Sequence, residues 1–219
     1  MALRRLGEIA AEGKDFDEAK RLYKESLEIS KRADYSRGMV AALSSMAQIE
    51  ESRNEAVAML KESAHLLAES CLWPDLVTIL YNLGCKAGVG VPYWAQALWL
   101  AGKVKVAPMR VALVCGYLGV ALGPKHILTR GVAGIAIRAA RNVPETDPHF
   151  EEVMRPSMGH WFKIAVCEGV RQEEFEAWLG AEMQKPLDRA AFEAGLEQLI
   201  GDTWLFDRTK VGATKGQGA

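Results

Sequence analysis

Ala19-Lys20-Arg21-Leu22-Tyr23-Lys24-Glu25-Ser26-Leu27 and Ala56-Val57-Ala58-Met59-Leu60-Lys61-Glu62-Ser63-Ala64 are the two stretches on which the reading of this chain turns. They lie 37 residues apart and share the Lys-Glu-Ser triplet in register. The same offset places Leu6 on Leu43 and Ala10 on Ala47. A fixed period of this length is the mark of a repeated supersecondary unit. In and around each stretch apolar and small residues follow helical spacing, first Phe16, Ala19, Leu22, Tyr23, Ser26 and Leu27, then Ala56, Met59, Leu60, Ser63, Ala64 and Leu67. Each unit therefore reads as a short helix, a tight turn and a longer helix. The small residues Ala10, Ala19, Ala47 and Ala56 fit that reading, because antiparallel helices approach closely only where one side chain is small.

Outward from the repeats, Met109 to Leu122, Lys125 to Arg141, Phe150 to Cys167, Gln172 to Met183 and Leu187 to Ile200 read as five further helices. They are separated by Gly123-Pro124, Asn142 to Pro148, Glu168 to Val170 and Lys185-Pro186. Few segments alternate with period two, so the expected fold class is all-α. Phe175, Trp178, Leu179 and Met183 form one stripe, and Phe192, Leu196 and Leu199 another; both read as core. The end, Lys210 to Ala219, has nothing to bury and is expected to be mobile.

Leu6-Gly7, Ala10, Gly13, Phe16, Ala19 and Tyr23 resemble the tetratricopeptide (TPR) pattern. The second copy keeps Leu43, Ala47, Ala56 and Leu60, with Ser44 in place of the glycine and Arg53 in place of the aromatic. A third begins at Leu80 to Gly84, where Leu83-Gly84 restores the motif, and continues beyond a Gly-Val-Gly-Val-Pro turn with Trp94, Ala97 and Leu100. The resemblance covers residues 2–104. It implies a right-handed array of helix pairs over 1–104, followed by a helical region over 105–207 and a flexible tail over 208–219. It also implies a concave binding surface lined by the first helix of each pair, here Arg5, Ile9, Gln48, Asn82 and Lys86. Asn82 precedes Leu83-Gly84, where an asparagine in peptide-binding members of the family clamps a ligand backbone; Ala42 and Arg5 hold the matching places in the other two copies. Repeat arrays carry polar caps at their ends, and none precedes the first helix here, so a partner or further sequence covering that end is expected.

The formal net charge is −1, yet the charges are unevenly spread. Residues 87–144 carry Lys103, Lys105, Arg110, Lys125, Arg130, Arg138 and Arg141 and no acid at all, while acids outnumber bases on either side. Such a face attracts acidic peptides, phosphate or acidic lipid, or pairs internally with the acidic third that follows. Nucleic acid is not expected, given the near-neutral total and the lack of a stacking-aromatic pattern. Cys71, Cys85, Cys115 and Cys167 show no metal or redox spacing and read as reduced core thiols. His65, His126, His149 and His160 include no pair at one-turn spacing, although Asp147, His149, His160 and Cys167 could be assembled into a ligand set on paper. Neither a phosphate loop nor a nucleophile elbow is present. No secretory signal or bilayer-length apolar run occurs, so the expected compartment is the cytoplasm.

These features point to a non-catalytic module, without cofactor or metal, that binds a protein or peptide partner. Asn82, Lys86, Gln48 and Arg5 are the expected groove residues, and Lys103, Lys105 and Arg110 those for an acidic partner. A second reading is the sensor region of a larger regulator, because Ala95 to Gly102 is similar to a stretch of bacterial LuxR-type ATPase regulators. A third places a small-molecule pocket or active site in the small-residue-rich middle.

Overall fold

Among residues 2–148 and 150–211, which the computed structural model describes, regular structure is helical throughout, with no strand. Five helices open the chain: α1 (Ala2–Glu12), α2 (Phe16–Arg32), α3 (Ser36–Ile49), α4 (Arg53–Glu69) and α5 (Trp73–Lys86). Each packs on the next, and α1 also reaches α3.

The 37-residue period is written into the backbone as well as the side chains. After α2 the Ala33 N–H donates to the Ile29 carbonyl (3.0 Å) and Tyr35 N–H to Ser30 (2.9 Å). After α4 the Ser70 N–H donates to Leu66 (3.1 Å) and Leu72 N–H to Leu67 (2.9 Å), the same bonds one period on. Asp34 and Cys71, also one period apart, both take left-handed φ, 48° and 53°. This is the geometry by which a helix end satisfies its last carbonyls before the chain reverses. The starts of the long helices match too, since Asp15 accepts from the Glu18 N–H and Ser52 from the Glu55 N–H. A cap of this kind stabilises a helix by about 1 kcal/mol.

Packing follows the same logic. Ala19 and Ala56 are fully buried, as are Tyr23 and Leu60 one helical turn later. Met46 of α3 packs with Ala19 and Tyr23 of α2, and Leu43 with Leu27. Gly7 is needed because a Cβ there would lie 2.5 Å from Tyr23 Cε1.

The chain divides into two compact units: the described residues up to Gly90 together with those from Trp204 onward, and Val91–Thr203. The division falls before the helix Val91–Ala101 (α6), rather than at the boundary of 104 expected from the third copy. The physical reason is that α6 buries Ala95, Ala97, Leu98 and Leu100 within the second unit, where it packs on α7 and α11. In the first unit, Trp204 and Phe206 stack edge to face (5.4 Å), and Phe206 lies 6.0 Å from the buried Trp73 of α5.

The second unit continues with α7 (Pro108–Leu122), α8 (Thr129–Ala140), α9 (Phe150–Cys167), α10 (Phe175–Gln184) and α11 (Arg189–Ile200). Helix α8 starts later than the expected Lys125, since Thr129 turns its hydroxyl back to the Gly123 carbonyl (2.6 Å) and closes the turn that precedes it. Residues Gln172–Glu174 form a 3₁₀ turn ahead of α10, and α11 starts after Asp188, whose carboxylate accepts from the Ala191 N–H. The Phe175 stripe is core as expected: Leu179 joins Ala133, Ile137, Trp161 and Ile164, with Phe175, Trp178 and Met183 packed against them. The Trp161 indole N–H donates to the Ala133 carbonyl (3.1 Å), tying α9 to α8. Fully buried Gln96 of α6 donates to the Thr203 carbonyl (2.9 Å). Arg208–Lys210 form a second 3₁₀ turn, and the rest of the expected mobile tail, 212–219, lies outside the described residues.

Candidate functional site

In the first unit α1, α3 and α5 alternate with the longer α2 and α4, and Arg5, Gln48, Asn82 and Lys86 all fall on the three shorter helices. Two of these meet: the Lys86 ammonium donates to the Gln48 carbonyl (3.4 Å) at the last turn of α3. At the other end of the same two helices Arg37 pairs with Asp75 (3.5 Å). A shallow groove between these helices is lined by Val40, Ala41, Ser44, Thr78 and Ile79. Asn82 is half-buried one turn before Lys86, while Arg5 is exposed on α1.

The turns fix a register that differs from the Leu-Gly reading. Asp34 and Cys71 are equivalent, so α5 follows α3 at an offset of 37 and not of 40. The burial pattern agrees, because Ala42, Leu43 and Met46 match buried Ile79, Leu80 and Leu83. Asn82 thus corresponds to Ser45, which is buried, and Gly84 to Ala47 as the small residue of close packing. The place matched to Asn82 in α1 is Glu8, not Arg5.

That register exposes a feature of α1. Leu6 and Ile9 are 51% and 63% accessible, whereas their equivalents Leu43 and Met46 are at 3% and 7% and Leu80 and Leu83 at 0%. Arg5 is exposed where Ala42 and Ile79 are buried, and Ala2 is exposed where Leu76 is buried. In α3 and α5 this stripe is covered by the long helix that comes before it, α2 or α4. On α1 the same stripe faces outward, continued by exposed Phe16 at the start of α2. Sequence reading named Arg5 and Ile9 of this face for the binding surface but used Leu6 only as a repeat match to Leu43.

In the second unit the acid-free segment meets the acidic one. Lys103 pairs with Glu193 of α11 (2.6 Å) and lies over the Trp99 ring (5.3 Å), whose N–H donates to Glu197 (3.2 Å). Arg130 bridges Glu168 and Glu182 and lies over the Trp178 ring (5.9 Å), and Lys185 pairs with the other oxygen of Glu182. Burial pulls the Glu182 carboxyl up, but Lys185 and Arg130 outweigh it and hold it below the usual carboxylate range. Of the three cations expected to meet an acidic partner, Lys103 is thus engaged internally, Arg110 is half-buried in the first turn of α7, and Lys105 is exposed between α6 and α7.

A cavity of about 680 Å³ opens among α6, α8 and α11. Its walls include Trp99, Ile135, Phe192 and Leu196, and Arg138 and Arg189 lie at its edge. Arg138 belongs to the basic middle, but Arg189 stood in the acidic third and carried no signal in the sequence.

Among the described residues the titratable groups offer no constellation of another kind. His160 is buried against Gly119, whose added Cβ would lie 2.5 Å from the ring, and neither ring nitrogen has a hydrogen-bond partner. Burial, and then Lys163, push its pKa below the ordinary imidazole value. Burial pushes the Cys115 thiol far up, which makes it inert; Cys85 and Cys167 are exposed rather than core. Among the described residues no three histidines, cysteines or carboxylates come together as a metal site, and His149 of the paper set lies outside them. No helix among them is long and apolar enough to cross a membrane.

Comparison with protein-family models, with curated proteins and with solved structures returned no match to this chain.

Proposed function

We propose that the chain is a protein-interaction module in which a tetratricopeptide-like array of helix pairs receives an amphipathic helix of a partner protein along α1. The observation that carries this reading is the inequality of equivalent residues: Leu6 and Ile9 are exposed, while Leu43, Met46, Leu80 and Leu83 are buried. The molecule itself supplies the template for the occupant. Helix α2 covers α3 with Ala19, Tyr23 and Leu27, a small residue followed by large ones four and eight positions on. A partner helix with that stripe, and an acid placed to meet Arg5, has the shape and charge to cover α1. Burying Leu6 and Ile9 would contribute roughly 1.5–3 kcal/mol each. This is helix-in-groove recognition, read out by anchors on one helical face.

The test uses a fluorescein-labelled peptide with the sequence of residues 16–32, titrated into the full chain and followed by anisotropy. The expected result is saturable binding that weakens at least tenfold in Leu6→Ser/Ile9→Ser, and is lost when the peptide's own Tyr23 and Leu27 become serine. Because both replaced side chains are exposed, circular dichroism should show an unchanged fold. Equal binding to wild type and variant overturns the reading. So does loss of binding in Asn82→Ala/Lys86→Ala with the Leu6/Ile9 variant unaffected, which would place recognition in the α3 and α5 groove. Sedimentation of the chain alone separates a further outcome: a dimer dissolved by the Leu6/Ile9 variant makes a second copy, not a partner helix, the occupant.

A further inference from the structure

We infer that the cavity among α6, α8 and α11 binds a small amphipathic monoanion, an apolar body with one carboxylate-like head, independently of the interaction along α1. Its volume, about 680 Å³, lies in the range of pockets that enclose small organic ligands. Its buried lining is apolar, made by Trp99, Phe192 and Leu196 with half-buried Val111 and Ile135, and the exposed part of the lining is polar, with Gln184, Lys185, Arg138 and Arg189.

The sign of the head group follows from which charges are already engaged. Four charged side chains line the cavity: Arg138, Lys185, Arg189 and Glu193. Glu193 is neutralised by Lys103 at 2.6 Å, and Lys185 is held by Glu182. Arg138 and Arg189 have no ion pair among the described residues. Two guanidiniums at the edge of an apolar cavity whose one carboxylate has its own cation form a receptor for an anion, and their planar forks suit a carboxylate. Both are exposed, so a neutral ligand gains nothing from them, whereas a carboxylate gains charge-assisted hydrogen bonds and a cation meets like charge.

Two further features hold this arrangement. The Trp99 wall is positioned by its N–H bond to Glu197 and by the Lys103 ammonium over its ring. Lys103 therefore does two things at once, bracing an apolar wall and cancelling the one acid that would repel the head group. Lys103, one of the two lysines that sequence reading offered to an acidic protein partner, is a positioning residue for this cavity.

The probe is decanoate below its micellar concentration, with decanol as the neutral control of equal length, both titrated calorimetrically into the full chain. The expected result is one decanoate per chain, bound at least tenfold more tightly than decanol and more weakly as salt rises. Arg138→Gln/Arg189→Gln should bring decanoate down to the level of decanol without changing decanol itself. Lys103→Met, which uncovers the Glu193 charge, should weaken decanoate several-fold and leave decanol within a factor of two. Ile135→Trp, which fills the cavity from α8, should abolish both. Equal affinity for decanoate and decanol in wild type overturns the inference, as does an undiminished decanoate affinity in the arginine variant. Binding of several equivalents without saturation, binding that survives Ile135→Trp, or no binding of decanoate at millimolar concentration overturns it as well. Leu6→Ser/Ile9→Ser should leave all of these titrations unchanged, so failure here and failure of the α1 surface can be told apart.

Discussion

Gly7 in the first unit and Gly119 in the second each stand where a Cβ would come within 2.5 Å of a buried aromatic ring, that of Tyr23 in one case and His160 in the other. The surroundings differ. Tyr23 belongs to a stripe that recurs 37 residues later, and its glycine sits on α1, a helix with one face open to solvent. His160 has no repeat equivalent, and α9, which carries it, packs on both α7 and α8. A repeated unit distributes its packing among copies, so one bad contact can be relieved at an end of the array. A unit built from contacts made once has nowhere to relax.

The largest effect is therefore expected from Gly119→Ala, where the added methyl meets a ring confined between helices. Overpacking of this kind should cost about 3 kcal/mol, read as a drop in the denaturant midpoint. Gly7→Ala makes a contact just as short, but α1 can shift outward, and alanine recovers about 1 kcal/mol of helix propensity. The net cost should be about 1 kcal/mol, with faster hydrogen exchange confined to α1. Equal losses in the two variants would break the contrast between a divisible and an indivisible unit.

Arg130→Met comes next. It leaves buried Glu182 with Lys185 alone and frees Glu168, while the methionine retains part of the packing on Trp178. Breaking a fully buried pair costs several kcal/mol, but Arg130 and Lys185 are both partly in water, and about 1–2 kcal/mol is expected by chemical denaturation. Glu182→Gln in the same background should recover part of that loss. A loss below 0.5 kcal/mol would mean that the joining of the basic middle to the acidic third is decoration on a core that needs neither.

Much of the first unit was legible because repetition prints the same instruction twice: Ala19 and Ala56, or the Lys-Glu-Ser triplets, announce equivalent helices without any knowledge of partners. The register of α5 was misread for a reason internal to that signal. Gly84 looks like the glycine of a Leu-Gly pair, yet it serves as the small residue equivalent to Ala47, and only the turns at Asp34 and Cys71 distinguish the roles. The exposure of Leu6 was hidden for the opposite reason, since its match to Leu43 reads the same whether or not a neighbouring helix covers it. In the second unit the helices were legible from their spacing and breakers, but the cavity was not. Its walls come from α6, α8 and α11, which lie far apart in sequence, and neither helical spacing nor charge composition encodes which helices meet.

His160 gives the same contrast a pH axis. Its ring is buried without a partner, and burial followed by Lys163 lowers its pKa in the folded chain below the ordinary value of 6.5. The unfolded chain takes up the proton first, so stability is full above that value and falls as pH drops below it. Glu182, held low by Lys185 and Arg130, contributes in a separate window, losing its share only as pH falls below the carboxylate value of 4.5. His160→Phe keeps a ring against Gly119 and should remove the loss of thermal stability that sets in as pH falls below 6.5, while leaving the more acidic loss in place. An unchanged slope in that window would assign it to other groups.

The smallest effect is expected where the first unit uses charge between helices. Arg37 and Asp75 approach to 3.5 Å across α3 and α5, but both side chains are more than half exposed. Asp75 also lies in the first turn of α5, where a carboxylate favours the helix on its own account, so a single Asp75→Asn change mixes two terms. A double-mutant cycle with Arg37→Gln isolates the pair, and a coupling of about 0.2–0.5 kcal/mol is expected from exposed ion pairs. A coupling above 1 kcal/mol would place cross-helix charge among the forces that hold the repeats together, and the two units would then differ in pattern but not in kind. A coupling near zero sharpens the contrast: the first unit then stands on its apolar stripes and its turns.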